Sequence, residues 1–157
     1  MIIRFAKIRE GARIPSKEEE DAGYDIYPCF EEDYIEIKPL NTVMIPTGIA
    51  SALPDKYYFQ IQERGSTGTK GMKYGAGVID SGYRGEWFIP ITNCNDKSIY
   101  IVKEDCDFDG IIYPYDKAIA QAILLEVPKV EIEELSYEEL RAIPSKRGSG
   151  RLGSTGK

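Results

Sequence analysis

The chain has 157 residues, 42% hydrophobic and 29% charged, which suits one soluble globular domain able to bury roughly two thirds of its unfolded surface. It contains no histidine, which excludes Ser-His-Asp and Cys-His catalysis and His-ligated zinc. The net charge of −6 is uneven: residues 145–157 carry four basic side chains and no acid, leaving 16 basic against 26 acidic, or −10, on the first 144. An acidic body repels long polyanions, so direct nucleic-acid binding is not expected, whereas a small basic tail suits a nucleotide or phosphate ester.

Along the chain the hydrophobic period is mostly two. Residues 2–8 read as a first strand and lack the long apolar stretch of a signal peptide. Strands are also expected over 43–50, 57–62, 87–92, 98–102, 118–127 and 130–135, with Gly, Pro, Asn and Asp clusters between them. Many short strands in one domain predict an all-β sandwich, jelly roll or barrel. One helix is expected: Ser136 with Glu139 three residues on forms a capping box for residues 137–143, ended by Pro144. No run is apolar and long enough to span a membrane. The odd set of thiols, Cys29, Cys94 and Cys106, has no CxxC spacing and fits a reducing cytoplasm.

Three stretches carry chemistry. In Gly77-Val78-Ile79-Asp80-Ser81-Gly82-Tyr83-Arg84-Gly85-Glu86 an apolar pair delivers a carboxylate, an aromatic ring and a cation into a glycine-rich loop. Such a loop has the parts to activate water, pack on a substrate and bind an anion; taken alone, a decorated hairpin turn is the favoured reading. Residues 63–71, Glu-Arg-Gly-Ser-Thr-Gly-Thr-Lys-Gly, follow a strand and carry the glycines, hydroxyls and cations of an anion cradle, or make a plain loop between strands. The tail from 147 to 157 repeats that recipe, and its composition also fits a flexible Gly/Ser tail.

Together these runs resemble the five ordered motifs of the trimeric dUTPase family, the deoxyuridine triphosphate nucleotidohydrolases. Ala22-Gly23-Tyr24-Asp25 resembles the first, Arg64-Gly65-Ser66 with Lys70-Gly71 the second, and residues 77–86 the third. Ala118-Ile119-Ala120-Gln121 resembles the fourth, and Arg147-Gly148-Ser149-Gly150 with Gly153-Ser154-Thr155-Gly156 the fifth. The resemblance implies a jelly-roll-like β-barrel over residues 1–144. It also implies a C-terminal arm, 145–157, that closes over a neighbouring subunit's active site in a homotrimer. It implies Mg2+ and hydrolysis of dUTP to dUMP and pyrophosphate, which limits uracil in DNA and supplies dUMP for dTMP synthesis.

By the same resemblance Asp80 is the general base on the attacking water, with Ile79 beside it in the substrate set. Tyr83 packs on deoxyribose and excludes a 2'-hydroxyl. Gly75, Ala76 and Gly77 form a hairpin whose backbone reads uracil. Arg64, Ser66 and Gln121 contact phosphates, and Asp25 supports the metal through water. Arg147, Ser154 and Thr155 clamp the terminal phosphates, with Leu152 and Gly153 covering the base. Water is a poor nucleophile and a triphosphate repels it, so a fixed carboxylate together with arginines and Mg2+ is the chemistry required.

The chain departs from the family pattern in places. Gly65 stands where a serine is common and Ser66 follows it, leaving open which sits on the phosphate. Arg151 and Leu152 replace a glycine and an aromatic residue; leucine covers a base without stacking, and the planar Arg151 guanidinium is an alternative stacking group. Tyr74 stands where asparagine is common in some members, and segment 103–117 exceeds the usual turn, reading as an acidic surface loop or a site for a regulatory protein partner. Two rival functions share parts of this pattern: a dCTP deaminase-like enzyme, whose barrel glutamate has no counterpart here, and a nucleotide-sensing regulator.

Overall fold

The computed structural model describes residues 1–150. Twelve short strands and two short helices are arranged in four sheets around one core. The largest sheet has the order β2 (Gly23–Ile26), β12 (Ala120–Glu126), β6 (Tyr57–Gln62), β8 (Val78–Ile79). A second sheet sets β9 (Phe88–Asn93) between β4 (Thr42–Pro46) and β7 (Met72–Tyr74). A third sets β10 (Ile99–Val102) between β3 (Tyr34–Ile37) and β11 (Ile111–Pro114). The last pairs β1 (Arg4–Lys7) with β5 (Ile49–Ala52). No sheet among the described residues closes on itself, and the architecture is the all-β, jelly-roll-like fold that was expected.

The period-two reading holds best at β6, where Phe59 and Ile61 are buried and Gln60 and Gln62 only partly so. Phe59 packs with Phe5, Tyr24 and Trp87 at centroid distances of 5.9, 5.8 and 5.3 Å. Trp87 and Phe59 are fully buried, with Ile26, Ile45, Ile89 and Ile91 around them. The buried Asn93 has its side chain satisfied: Nδ2 donates to the Ile37 and Lys97 carbonyls, and Oδ1 accepts from Asn95 N.

Three sequence expectations change. The single strand over 43–50 divides into β4 and β5, because Gly48 adopts φ +67° and turns the chain. Residues 63–71 are not a plain loop but contain the helical turn α1 (Gly65–Gly68), so there are two helices and not one. Thr67 makes this turn: its hydroxyl accepts from Arg64 N at 3.0 Å and donates to the Arg64 carbonyl at 3.0 Å. Residues 130–135 form no strand, and Val130 and Ile132 are 73% and 95% exposed. The second helix, α2 (Tyr137–Ala142), has the expected capping box, with Ser136 Oγ accepting from Glu139 N. Segment 103–117 is partly structural: β11 pairs in parallel with β10, and Phe108 stacks on Tyr100 at 4.4 Å. Every residue from 125 to 149 is exposed.

Gly48 also lies where a side chain has no room. A Cβ there would meet Ala12 Cβ at 2.8 Å and Cys29 Sγ at 3.0 Å. Gly48→Ala should therefore destabilise the fold by about 2–4 kcal/mol through strain and overpacking. Urea denaturation that gives the variant wild-type stability would contradict this packing.

Candidate active site

The phosphate-type residues meet where β2, β12 and β6 lie side by side. Register sets Gln121 opposite Asp25 on one flank and Gln62 on the other, so the two polar side chains Asp25 and Gln121 share a face. Arg64, just past β6, holds Asp25 through Nε–Oδ1 at 3.0 Å and Nη2–Oδ2 at 3.3 Å, and donates Nη1 to the Ala118 carbonyl. Gln121 Nε2 donates to the Glu63 carbonyl at 2.8 Å, and its side chain crosses Gly23 so closely that a Cβ there would lie 2.5 Å from Oε1. A cleft of about 340 Å³ results, lined by Asp21, Ala22, Gly23, Asp25, Arg64, Gly65, Ser66 and Gln121. Both Gly65 and Ser66 are exposed to it, so either backbone can approach an anion.

Two tyrosines that the sequence reading did not enlist support this cleft. The Tyr74 hydroxyl donates to the Ile119 carbonyl and lies 3.0 Å from Thr67 Oγ1. Tyr113 donates to the Ala118 carbonyl at 2.7 Å. Burial is the main cause raising both phenol pKa values, outweighing the opposing contacts with Thr67 at Tyr74 and with Ser66 and Arg64 at Tyr113. Both therefore remain neutral donors that hold the turn at Arg64 against the strand carrying Gln121. Burial also pushes Glu63 up, but the Glu63 and Tyr74 amides and Lys73 outweigh it, so its carboxyl lies below the ordinary range.

The nucleoside-type residues gather elsewhere. A pocket of about 240 Å³ is lined by Ala76, Gly77, Ile79, Asp80 and Tyr83, with Ile61, Phe88 and Pro90 as apolar walls. Asp80 is exposed at its mouth. The Gly77 carbonyl accepts from Ile61 N, and a Cβ on Gly77 would meet the Ile61 carbonyl at 2.9 Å. Tyr83 N donates to the Asp80 carbonyl, its hydroxyl donates to the Glu86 carbonyl at 2.9 Å, and its ring lies across Gly85. The expected hairpin is corrected: β7 pairs with β9 and β8 with β6, so residues 75–77 cross between two sheets. Gly75 donates to the Pro90 carbonyl and is not part of the pocket lining. Arg84 braces its own loop, donating to the Ser81 and Tyr83 carbonyls.

These two half-sites are separate within one chain. The β6–β8 register puts Asp80 beside Tyr58, and Arg64 lies six residues further along, about 20 Å at the ~3.3 Å rise of a strand. Arg147 is exposed and bonds within its own segment, Nε to the Gly150 carbonyl. Leu152, Gly153, Ser154 and Thr155 lie outside the described residues.

A polar cleft carrying Arg64, Ser66 and Gln121 and an apolar pocket bordered by the Asp80 carboxylate have the chemistry of the two halves that a nucleoside polyphosphate requires. The dUTPase family model matches residues 9–156. A deoxyuridine 5'-triphosphate nucleotidohydrolase of Leptospira interrogans is 31% identical, covering 99% of each chain. The human mitochondrial protein of the same name is 33% identical over all of this chain and 56% of its own length. A dUTPase of Staphylococcus bacteriophage 80alpha, solved with dUpNHpp, superposes with a TM-score of 0.79 at 22% identity over 99% of each chain. This chain belongs to the dUTPase family.

Gly23→Ala should push Gln121 out of the cleft while leaving the folded core intact. Turnover should fall about 10- to 100-fold, the usual cost of misplacing a binding group by an ångström. Unchanged kinetics with an unchanged far-ultraviolet spectrum would remove Gln121 from substrate contact.

Proposed function

We propose that the chain is a dUTP diphosphatase, hydrolysing dUTP to dUMP and pyrophosphate. The observation that carries this reading is the exposed Asp80 carboxylate at the mouth of an apolar pocket formed by Ala76, Gly77 and Ile79, in a chain matched almost throughout by the dUTPase family. Water oriented by Asp80 gives it a proton as the water oxygen bonds to the α-phosphorus, the Pα–O bond to the β-phosphate breaks and pyrophosphate leaves. Tyr83, fixed over Gly85, presents its ring to the sugar, where a 2'-hydroxyl would collide with it. The 76–77 backbone offers uracil a surface with no room for a larger side chain on Gly77.

Arg64, Gly65, Ser66 and Gln121 take the phosphates. Asp80 and Arg64 of one chain stand too far apart to share a substrate, so the working site joins the pocket of one subunit to the cleft of the next in a homotrimer. The arm from 145, with Arg147, Leu152, Gly153, Ser154 and Thr155, closes over a neighbouring site. Asp21 and Asp25 fit a hydrated Mg2+ carried by the triphosphate, since no cluster among the described residues could hold the ion unaided. When bound, Mg2+ supplies charge neutralisation at the phosphates. A related dUTPase of phage phi11 is described with a structural Mg(II) ion. No helix among the described residues is long and apolar enough to cross a membrane, and the thiols of Cys29, Cys94 and Cys106 are unpaired, which suits a reducing cytoplasm. The reaction would keep uracil out of DNA and supply dUMP. The deaminase alternative is not favoured, and the structural use of 103–117 lends no separate support to a regulatory partner.

Purified protein with Mg2+ should release pyrophosphate from dUTP but not from dCTP, dTTP or UTP; ammonia released from dCTP would overturn the assignment. Asp80→Asn should lower turnover at least ~1000-fold while a non-hydrolysable dUTP analogue still binds. Shared sites make a sharper prediction. Asp80→Asn and Arg64→Gln chains, each inactive alone, should regain about a quarter of wild-type activity when refolded together at equal ratio, because each mixed ring holds one intact junction. If the mixture stays inactive while mixed trimers form, the site is not divided in this way.

A further inference from the structure

Glu86 closes the loop that carries Asp80 and Tyr83, and it is held from a distant part of the chain. Arg9 grips it with a two-pronged contact, Nε to Oε1 at 2.8 Å and Nη2 to Oε2 at 2.9 Å. Gly48 N donates to Oε1 at 2.9 Å. The Glu86 side chain is 11% exposed, and that of Arg9 is 41%. Burial pushes the Glu86 carboxyl up, but the hydrogen bonds from Arg9 and Gly48 and the Arg9 charge prevail, leaving it below the ordinary range. It thus stays ionised and locked to Arg9.

Glu86 stands between two cavities. One is the nucleoside pocket with Asp80 and Tyr83; the other is an open cleft of about 610 Å³ that includes Ile8, Arg9 and Cys29. Its backbone carbonyl accepts the Tyr83 hydroxyl, while its carboxylate accepts Arg9. One residue therefore ties the pose of the Tyr83 ring to a guanidinium outside the pocket. A half-buried carboxylate that loses its cation must turn toward water or take a proton. Either change loosens the hold on the residue whose backbone carbonyl accepts the Tyr83 hydroxyl.

We propose that Arg9 is a positioning residue for sugar discrimination: by clamping Glu86 it fixes the Tyr83 ring against the deoxyribose and thereby sets the preference for 2'-deoxy over ribonucleotides. Arg9 touches no substrate. The clamp acts only through residues 83–86, so it governs selectivity and KM more than the chemical step. It rests on the reading that Tyr83 faces the sugar.

The test uses the full-length protein with Mg2+ and compares Arg9→Gln, Arg9→Lys, Glu86→Gln and the Arg9→Gln/Glu86→Gln double variant. Kinetics with dUTP and UTP are measured together with melting temperature. Arg9→Gln should raise KM for dUTP and cut the dUTP-over-UTP ratio of kcat/KM about tenfold, with kcat nearly unchanged. Arg9→Lys should recover part of that ratio, since it keeps the charge and loses the fork. The double variant, with a neutral pair in place of the ion pair, should lose less than the two single losses combined. A lower melting temperature with an unchanged ratio would overturn the proposal, as would additive single losses. Wild-type turnover of dUTP is the separate control for the functional reading. The clamp is judged by the ratio among variants, read also as calorimetric binding of non-hydrolysable 2'-deoxy and ribo analogues.

Discussion

The pairing of β6 with β12 on one side and β8 on the other is the constraint on which the rest depends. β6 supplies Phe59 and Ile61 to the core, so its position is set by packing before any ligand arrives. Its β12 neighbour brings Gln121 to the end that leads into Arg64, and its β8 neighbour brings Asp80 to the other end. A hydrogen-bonded strand does not shorten, so the separation of the two half-sites is as rigid as the sheet. The same rigidity that fixes each half excludes their meeting inside one chain. Under the proposed function, oligomerisation is thereby part of the catalytic geometry and not an addition to it.

Electrostatics in the cleft serve orientation more than stability. The Arg64–Asp25 pair is about a third exposed on each side, so its net contribution to folding is small, on the order of 0–1 kcal/mol. What the pair does is hold the guanidinium plane, with the Ala118 carbonyl as a third support, before substrate binds. A preset cation costs little reorganisation when phosphate charge arrives. Under the proposed function Asp25 also keeps a carboxylate beside the phosphates, which would repel a bare triphosphate and favour one that brings Mg2+. Tyr74 and Tyr113, neutral because buried, stiffen the layer below without adding charge.

Much of this could be read along the chain. Alternation at 57–62, the Ser136–Glu139 box and the order of the five motifs each rest on local spacing, and each has its counterpart in the structure or the family match. The features that escaped reading depend on contacts distant in sequence or on one residue's backbone. Gly48 breaks an apolar run that looks continuous, and only its left-handed φ shows why. Residues 63–71 look like a loop because a single helical turn held by Thr67 has no periodic signature. Arg9 and Glu86, 77 positions apart, carry no mutual signal in one sequence. Residues 75–77 look like a hairpin because glycines promise a turn, yet each flanking strand found a longer partner elsewhere.

The misread stretch 130–135 follows from the same reasoning. Val130 and Ile132 alternate with Glu131 and Glu133 as a half-buried strand would, but every residue from 128 to 149 is exposed. Alternation reports that a segment is suited to burial on one face; it does not say against which surface. Among the described residues the buried core ends within β12, so the apolar side chains of 130–135 lie outside it. Exposed Met44, Val78 and Phe88 beside the nucleoside pocket are in the same condition. Exposed apolar groups that cluster around a divided site are better satisfied by another subunit than by water. The proposed trimer therefore accounts for two observations at once: half-sites that lie apart in one chain, and a strand-like sequence with no strand to join among the described residues.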